Sequence, residues 1–248
     1  MRRFHLPPEA CREPVLKLTG REAHHAAHVL RAQPGERLTV LDGAGGEYLC
    51  VTRHVGRREV ELEVLEKRHV PPPPFELTLL QAVPKGKAFE WILEKATELG
   101  ARRIVPILSV RVVARPDVRG IAEKRERWRW TLIEALKQSG GAWLPELDAP
   151  VDVPGFVARG ERFDLQWVAS LQPGARHPRE VWREQVARAG TAPQRVAVWI
   201  GPEGDFTSEE LRTIESAGAI PVSLGPRVLR VETAAVYCLS ILHYELSC

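Results

Sequence analysis

Two stretches near the C-terminal end, "IGPEGDF" at 200–206 and "SLGPRVLRVETAA" at 223–235, place charged side chains in turns that folding alone does not call for. In the first, Gly201-Pro202-Glu203-Gly204 follows the apolar run "RVAVWI". Thr207 and Glu210, three apart, can cap the next helix reciprocally, and Gly218 can stop it. Glu203 lies outside that structural account. In the second, Gly225-Pro226 leaves the run "AIPVSL", and a helix begins near Glu232-Thr233. Open α/β sheets bind ligands where strands end, so two such turns at one sheet edge would line a single pocket with backbone amides and carbonyls. A purine or another flat heterocycle can be read there without side chains. The alternative is a plain turn at Glu203 and solvated loop charges at Arg227 and Arg230.

Other residues suggest contact with an anion. "PKGKAFEWILEKATELG" puts Lys85 and Lys87 at the mouth of a helix whose inner face carries Phe89, Ile92, Leu93 and Ala96. Positive charge there opposes the helix dipole, so an anionic partner explains these lysines better than stability does. "HHAAHVLR" spaces His24 and His28 four apart, half of a metal site, but no His-Glu-x-x-His accompanies them. With Arg31 they read better as a polar or RNA-facing surface, and no metal is expected. "EKRERWRW" reads as a solvated helix face with its tryptophans turned inward, the alternative being a stacking platform for bases. "DGAGGEY" lies between two strand-like runs and reads as a hairpin turn.

The elements that must position these residues fall into two groups. "PPPP" at 71–74 is a stiff segment without amide donors, which divides the chain into residues 1–70, a linker at 71–74, and residues 75–248. The first part shows "ERLTVLDG", "GEYLCVTRHV" and "REVELEVLEKR" as strands, with one helix at "GREAHHAAHVLRA", and suggests a compact antiparallel β-barrel. The second alternates strand and helix, the signature of an α/β sheet. Its last segment, "TAAVYCLSILHYEL", is apolar nearly all round and is expected to be buried against the sheet or a second subunit.

Composition sets bounds on function. The 248 residues can bury a substantial core without staples. No run approaches the roughly 20 apolar residues of a membrane span, and no apolar region follows the basic start, so a cytoplasmic protein is expected. Cys11, Cys50, Cys238 and Cys248 form no Cys-x-x-Cys pair, which fits a reducing compartment. Net charge is +3, but 28 of the 35 basic residues are arginine, the side chain suited to forked contacts with phosphate. Asparagine is absent.

Taken in order, "RRFH", "HHAAHVLR", "PKGKAFEWILEKATELG", "LPE" after "KQSG", "IGPEG" and "SLGPRVLRVETAA" resemble the ribosomal small-subunit RNA uridine N3-methyltransferases, the RsmE family of the SPOUT superfamily. The resemblance runs from the first residues to the last. It implies a PUA-like β-barrel followed by a SPOUT-type α/β sheet with a deep C-terminal trefoil knot, and a homodimer. It implies S-adenosylmethionine as cofactor, held by Leu171, Gln172, Ile200, Gly201, Glu203, Gly204, Leu224, Gly225, Arg227, Val228, Leu229, Thr233 and Ala234.

The implied reaction is methylation of a uridine N3 in 16S ribosomal RNA, within the small subunit. Arg230, Arg111 and Glu232 are the candidate catalytic residues, and Arg2, Arg3, His24, Arg31, Lys85 and Lys87 the candidate grip on RNA. Three positions depart from the family pattern: Asp205 stands where a second glycine is usual, Gly141 where arginine is common, and Val231 where threonine is common. A ribose 2′-O-methyltransferase of the same superfamily fits less well, since that branch typically carries an Asn-x-x-Arg element. A non-catalytic RNA-binding assembly module is the reading from a different class.

Overall fold

The computed structural model describes residues 2–111 and 118–247. The chain divides into two compact units, Met1–Pro72 with Ile133–Leu144, and Pro73–Leu132 with Pro145–Cys248.

The first unit is built on five strands, β1 (Arg3–His5), β2 (Val15–Thr19), β3 (Arg37–Leu41), β4 (Gly46–Val55) and β5 (Glu59–His69), in the order β1-β3-β4-β5-β2. Strand β4 buries Tyr48, Cys50 and Thr52 and turns the residues between them outward, the period-two pattern of a half-buried strand. Tyr48 and Cys50 join Phe4, Leu16, Leu18, Leu38 and Leu62 in the core. The "DGAGGEY" turn is the β3–β4 hairpin: Asp42 accepts from the amides of Ala44 (2.8 Å) and Gly46 (2.7 Å) and from the Tyr48 hydroxyl. The expectation of a wholly antiparallel arrangement needs one correction, because β1 runs parallel to β3. The chain leaves β1 through a 3-10 turn at Pro8–Cys11 and enters β2 at the far side of the sheet, so no hairpin forces β1 to reverse.

Helix α1 (Gly20–His24) continues as a π-type turn, His25–Val29. Helix α3 (Val118–Ser139) supplies its last residues to this unit. Lys137 Nζ lies 2.9 Å from Glu22 Oε1 and 3.0 Å from Glu134, with both Lys137 and Glu22 buried. Burial pushes the Glu22 carboxyl above its ordinary range despite the opposing pull of Lys137. A buried pair of this kind costs about 3–5 kcal/mol when one partner is removed.

The second unit holds a six-stranded, all-parallel sheet: β6 (Glu76–Ala82), β7 (Arg103–Ile107), β8 (Glu146–Leu147), β9 (Leu165–Ala169), β10 (Arg195–Ile200) and β11 (Ile220–Val222). The order is β11-β9-β10-β6-β7-β8. The strands buried on both faces read as near-continuous apolar runs, as parallel sheets require. Neighbours β6 and β10 send their chains in opposite directions, β6 on to β7 and β10 over to β11, which makes the carboxyl edge beside them a topological switch point.

Among the described residues the helices of this unit are α2 (Ala88–Glu98), the first part of α3, α5 (Pro178–Ala189), α6 (Ser208–Ser216) and α7 (Val231–Leu246), with a short α4 (Val153–Val157). Helix α7 packs on α2, β6 and β10. It is not buried all round: Ala235, Cys238, Leu239 and Leu242 face inward, while Tyr237 and Tyr244 are 48% and 68% exposed. Burial in this apolar face pushes the Cys238 thiol up to about 12, so it stays protonated packing material.

Candidate functional site

The carboxyl ends of β9 and β10 and the segment after β11 enclose a cavity of about 510 Å³, within the ~300–1,000 Å³ usual for small-molecule sites. One wall is the turn after β10: Ile200, Gly201, Pro202, Glu203 and Asp205. The opposite wall is Leu224, Gly225, Arg227, Val228 and Leu229, and Ala169, Ser170 and Leu171 close the end of β9. The first turn of α7 adds Arg230, Val231, Glu232 and Ala234, and Ala88 enters from α2. Both Gly-Pro turns thus open into one cavity, leaving the carboxyl ends of the two parallel strands that flank β9.

The first wall is held from several sides. Thr207 and Glu210 form the expected capping box: Thr207 N–H donates to Glu210 Oε2 (2.9 Å) and Glu210 N–H to Thr207 Oγ1 (3.2 Å). Buried Glu210 also accepts from Val110 N–H (2.9 Å) and the Ser109 hydroxyl (3.1 Å), fixing the turn to the end of β7. Lys85 N–H donates to Glu203 Oε1 at 2.9 Å. Arg111 donates through Nη1 to the Gly204 carbonyl, and Phe206 is buried beneath the turn.

Four predicted residues stand outside the cavity lining. Arg111 and Gly204 are joined behind the turn as described, and Gln172 donates its N–H to Ser170 Oγ at 3.1 Å. Thr233 is exposed on α7. Sequence reasoning missed Ala88, Ala169, Ser170 and Pro202, and marked Asp205 and Val231 as departures from the family pattern without placing them in the lining. The small or apolar residues carry no chemical signal, but Asp205 does, standing in a Gly-rich turn. It takes a left-handed backbone, φ 60°, which disfavours side-chain-bearing residues. Its Oδ1 accepts from the Phe206 amide (2.7 Å), while Oδ2 is buried without a hydrogen-bond partner. Arg227 and Arg230 therefore share the cavity with Glu203, Asp205 and Glu232.

The proposed RNA-facing residues are more varied. Arg2 pairs with Glu36 at 2.8 Å, and Arg3 donates to the Lys137 and Gln138 carbonyls at 3.2 Å, closing the end of α3. The His24 and His28 rings stack obliquely, with centroids 4.9 Å apart. Arg31 and His28 line an open depression together with His54, a histidine that sequence spacing did not single out. Lys85 and Lys87 precede α2, where Lys87 is the N-cap residue with no side-chain capping bond. Trp128 is buried as expected, whereas Trp130 is half-buried. Among the described residues no group of three or more His, Cys, Asp or Glu side chains could hold a metal ion, and no helix is long and apolar enough to cross a membrane.

Known proteins share both units. The RNA methyltransferase PUA domain family matches residues 18–65, and the RNA methyltransferase domain family matches residues 71–243. A ribosomal RNA small subunit methyltransferase E of Mycobacterium bovis is 34% identical over 225 residues, covering 91% of this chain and 84% of its own. The chain belongs to the ribosomal RNA small subunit methyltransferase E family. Solved structures agree with that membership. A Legionella pneumophila methyltransferase in complex with the bound cofactor SAM is 32% identical, with a TM-score of 0.88 over 98% of this chain and 97% of that one. The ribosomal RNA small subunit methyltransferase E of Neisseria gonorrhoeae, bound to S-adenosyl methionine, is 25% identical, with a TM-score of 0.84 over 99% and 98%.

Proposed function

We propose that this chain methylates N3 of a specific uridine in 16S ribosomal RNA within the assembled small subunit, with S-adenosylmethionine as cofactor. The observation that carries the reading is the single cavity lined by both Gly-Pro turns at the sheet's switch point, in a chain of this family. The cavity fits the cofactor. Its volume suits a nucleoside-sized ligand, Leu171, Leu224 and Leu229 offer apolar surface to a flat base, and Gly201 and Gly225 leave backbone groups approachable. An N3-methylated uridine and an assembled substrate follow the family resemblance. So do a cytoplasmic site of action, a trefoil-knotted C-terminal segment and a homodimer. In support of the knot, the segment after β11 shares a cavity with the turn after β10 before α7 returns to pack on β6 and β10. In support of the dimer, α7 turns Tyr237 and Tyr244 outward.

When bound, S-adenosylmethionine supplies a methyl group that is already electrophilic. The protein's tasks are to align it with the N3 lone pair and to help the imide lose its proton. Arg230, at the N-cap of α7, stabilises the negative charge that spreads to the flanking carbonyl oxygens. Glu232, in the adjoining turn and lining the same cavity, accepts the proton. Arg111 acts by positioning, holding the Gly204 carbonyl from behind. Labelled methyl transfer into small subunits from a strain lacking the protein tests this reading. Arg230→Ala should lower turnover about 100-fold while calorimetry finds cofactor affinity little changed. An equal loss of both contradicts the role of Arg230.

A further inference from the structure

We infer that a second cavity in the same unit, about 220 Å³ in volume, receives the target nucleotide. This inference rests on the methyltransferase reading and names the substrate side of it. Lys85, Phe89, Lys124, Arg127, Trp128 and Glu203 line the space. Its position is the first argument. Methyl transfer brings acceptor and methyl to about 3–3.5 Å, so the acceptor's cavity must abut the cofactor's. Glu203 belongs to both cavities, and the first turn of α2 gives Ala88 to one and Phe89 to the other. The Lys85 N–H bond to Glu203 fixes this shared wall.

Size and chemistry agree. The volume lies below the ~300 Å³ floor of ordinary small-molecule sites, enough for one base but not a folded strand. Phe89 and Trp128 meet edge-on, with ring centroids 4.5 Å apart, and give the space an apolar side for a base. Three cations, Lys85, Lys124 and Arg127, stand around it for phosphate. Glu90 accepts from Arg127 at 2.6 Å through Oε1, while its Oε2 is buried with no partner, leaving an acceptor for the ribose 2′-hydroxyl of the incoming nucleotide. The α3 stretch "EKRERWRW" reads in sequence as a solvated face; Lys124 and Arg127, three residues apart on that helix, instead border a cavity beside the proposed cofactor site.

The test is a Lys124→Ala/Arg127→Ala pair against a control, Arg129→Ala/Arg212→Ala, which removes the same charge from exposed positions outside the cavity. Methyl transfer to deficient small subunits is measured over a range of salt, with cofactor affinity by calorimetry. The proposal expects the cavity pair to raise KM about tenfold and to flatten the log KM against log salt slope by about two, one per lost phosphate contact. Cofactor affinity and the control pair should stay at wild-type values. Equal KM changes in both pairs, a cavity pair that behaves like wild type, or a parallel loss of cofactor affinity would each overturn the subsite. If wild-type protein transfers no methyl, the methyltransferase reading itself fails, an outcome separate from these.

Discussion

The two walls of the proposed cofactor cavity are both Gly-Pro turns after parallel strands, yet they are held very differently. The 201–207 wall is tied to β7 through Glu210, to Lys85 through Glu203 and to Arg111 through Gly204, and it sits on buried Phe206. The 224–230 wall has far less beneath it. Gly225 through Val228 are exposed, Val228 at 77%. Its backbone is anchored at its two ends, by Ser223 N–H on the Arg176 carbonyl (2.9 Å) and by Ala234 N–H on the Arg230 carbonyl (2.9 Å). Few buried contacts and exposed backbone mark a region of low local stability. One wall is thus a fixed template, and the other a strap whose exposed Val228 and half-buried Leu229 we propose to gain burial when the cofactor fills the space between.

That contrast can be broken or sharpened by substitution. The largest effect is expected at Glu210. Glu210→Ala strands Val110 N–H and Thr207 N–H and should cost about 3 kcal/mol in urea unfolding, with cofactor affinity falling in step. Gly225→Ala should act on the other wall alone. At φ 109° an alanine adds about 1–2 kcal/mol of local strain, which lowers cofactor affinity about tenfold while the unfolding midpoint stays near wild type. If Gly225→Ala lowered global stability as much as Glu210→Ala, the walls would be alike and the contrast lost. The smallest effect is one of exchange: amide hydrogen exchange at 225–229 should slow on addition of S-adenosylmethionine, while that at 207–211 stays unchanged.

Sequence made the first wall legible because its fixing devices are local. The strand, the Gly-Pro turn and the capping box follow one another between Arg195 and Glu210, a short range where pattern reasoning works. The second wall was legible by its residues but not by its exposure, which depends on what packs beneath it. Asp205 shows the same limit: a side chain in a glycine-rich turn is visible in the sequence, but φ 60° and a buried, unpartnered Oδ2 are not. Long-range facts were the least legible. Nothing in the helical period of α3 assigns Ile133–Leu144 to the first unit, a placement fixed by Lys137 meeting Glu22 115 residues away. Nor does it mark Lys124 and Arg127 as cavity residues. The parallel pairing of β1 escaped because a three-residue strand carries too little alternation to read.

The measurement that bears most directly on the central claim is mass-spectrometric nucleoside analysis of small ribosomal subunits from a strain lacking this protein, after incubation with the purified chain and S-adenosylmethionine. The account predicts a gain of 3-methyluridine that depends on both protein and cofactor. A gain of a 2′-O-methylated nucleoside in its place, or no gain by protein that binds the cofactor, would contradict it.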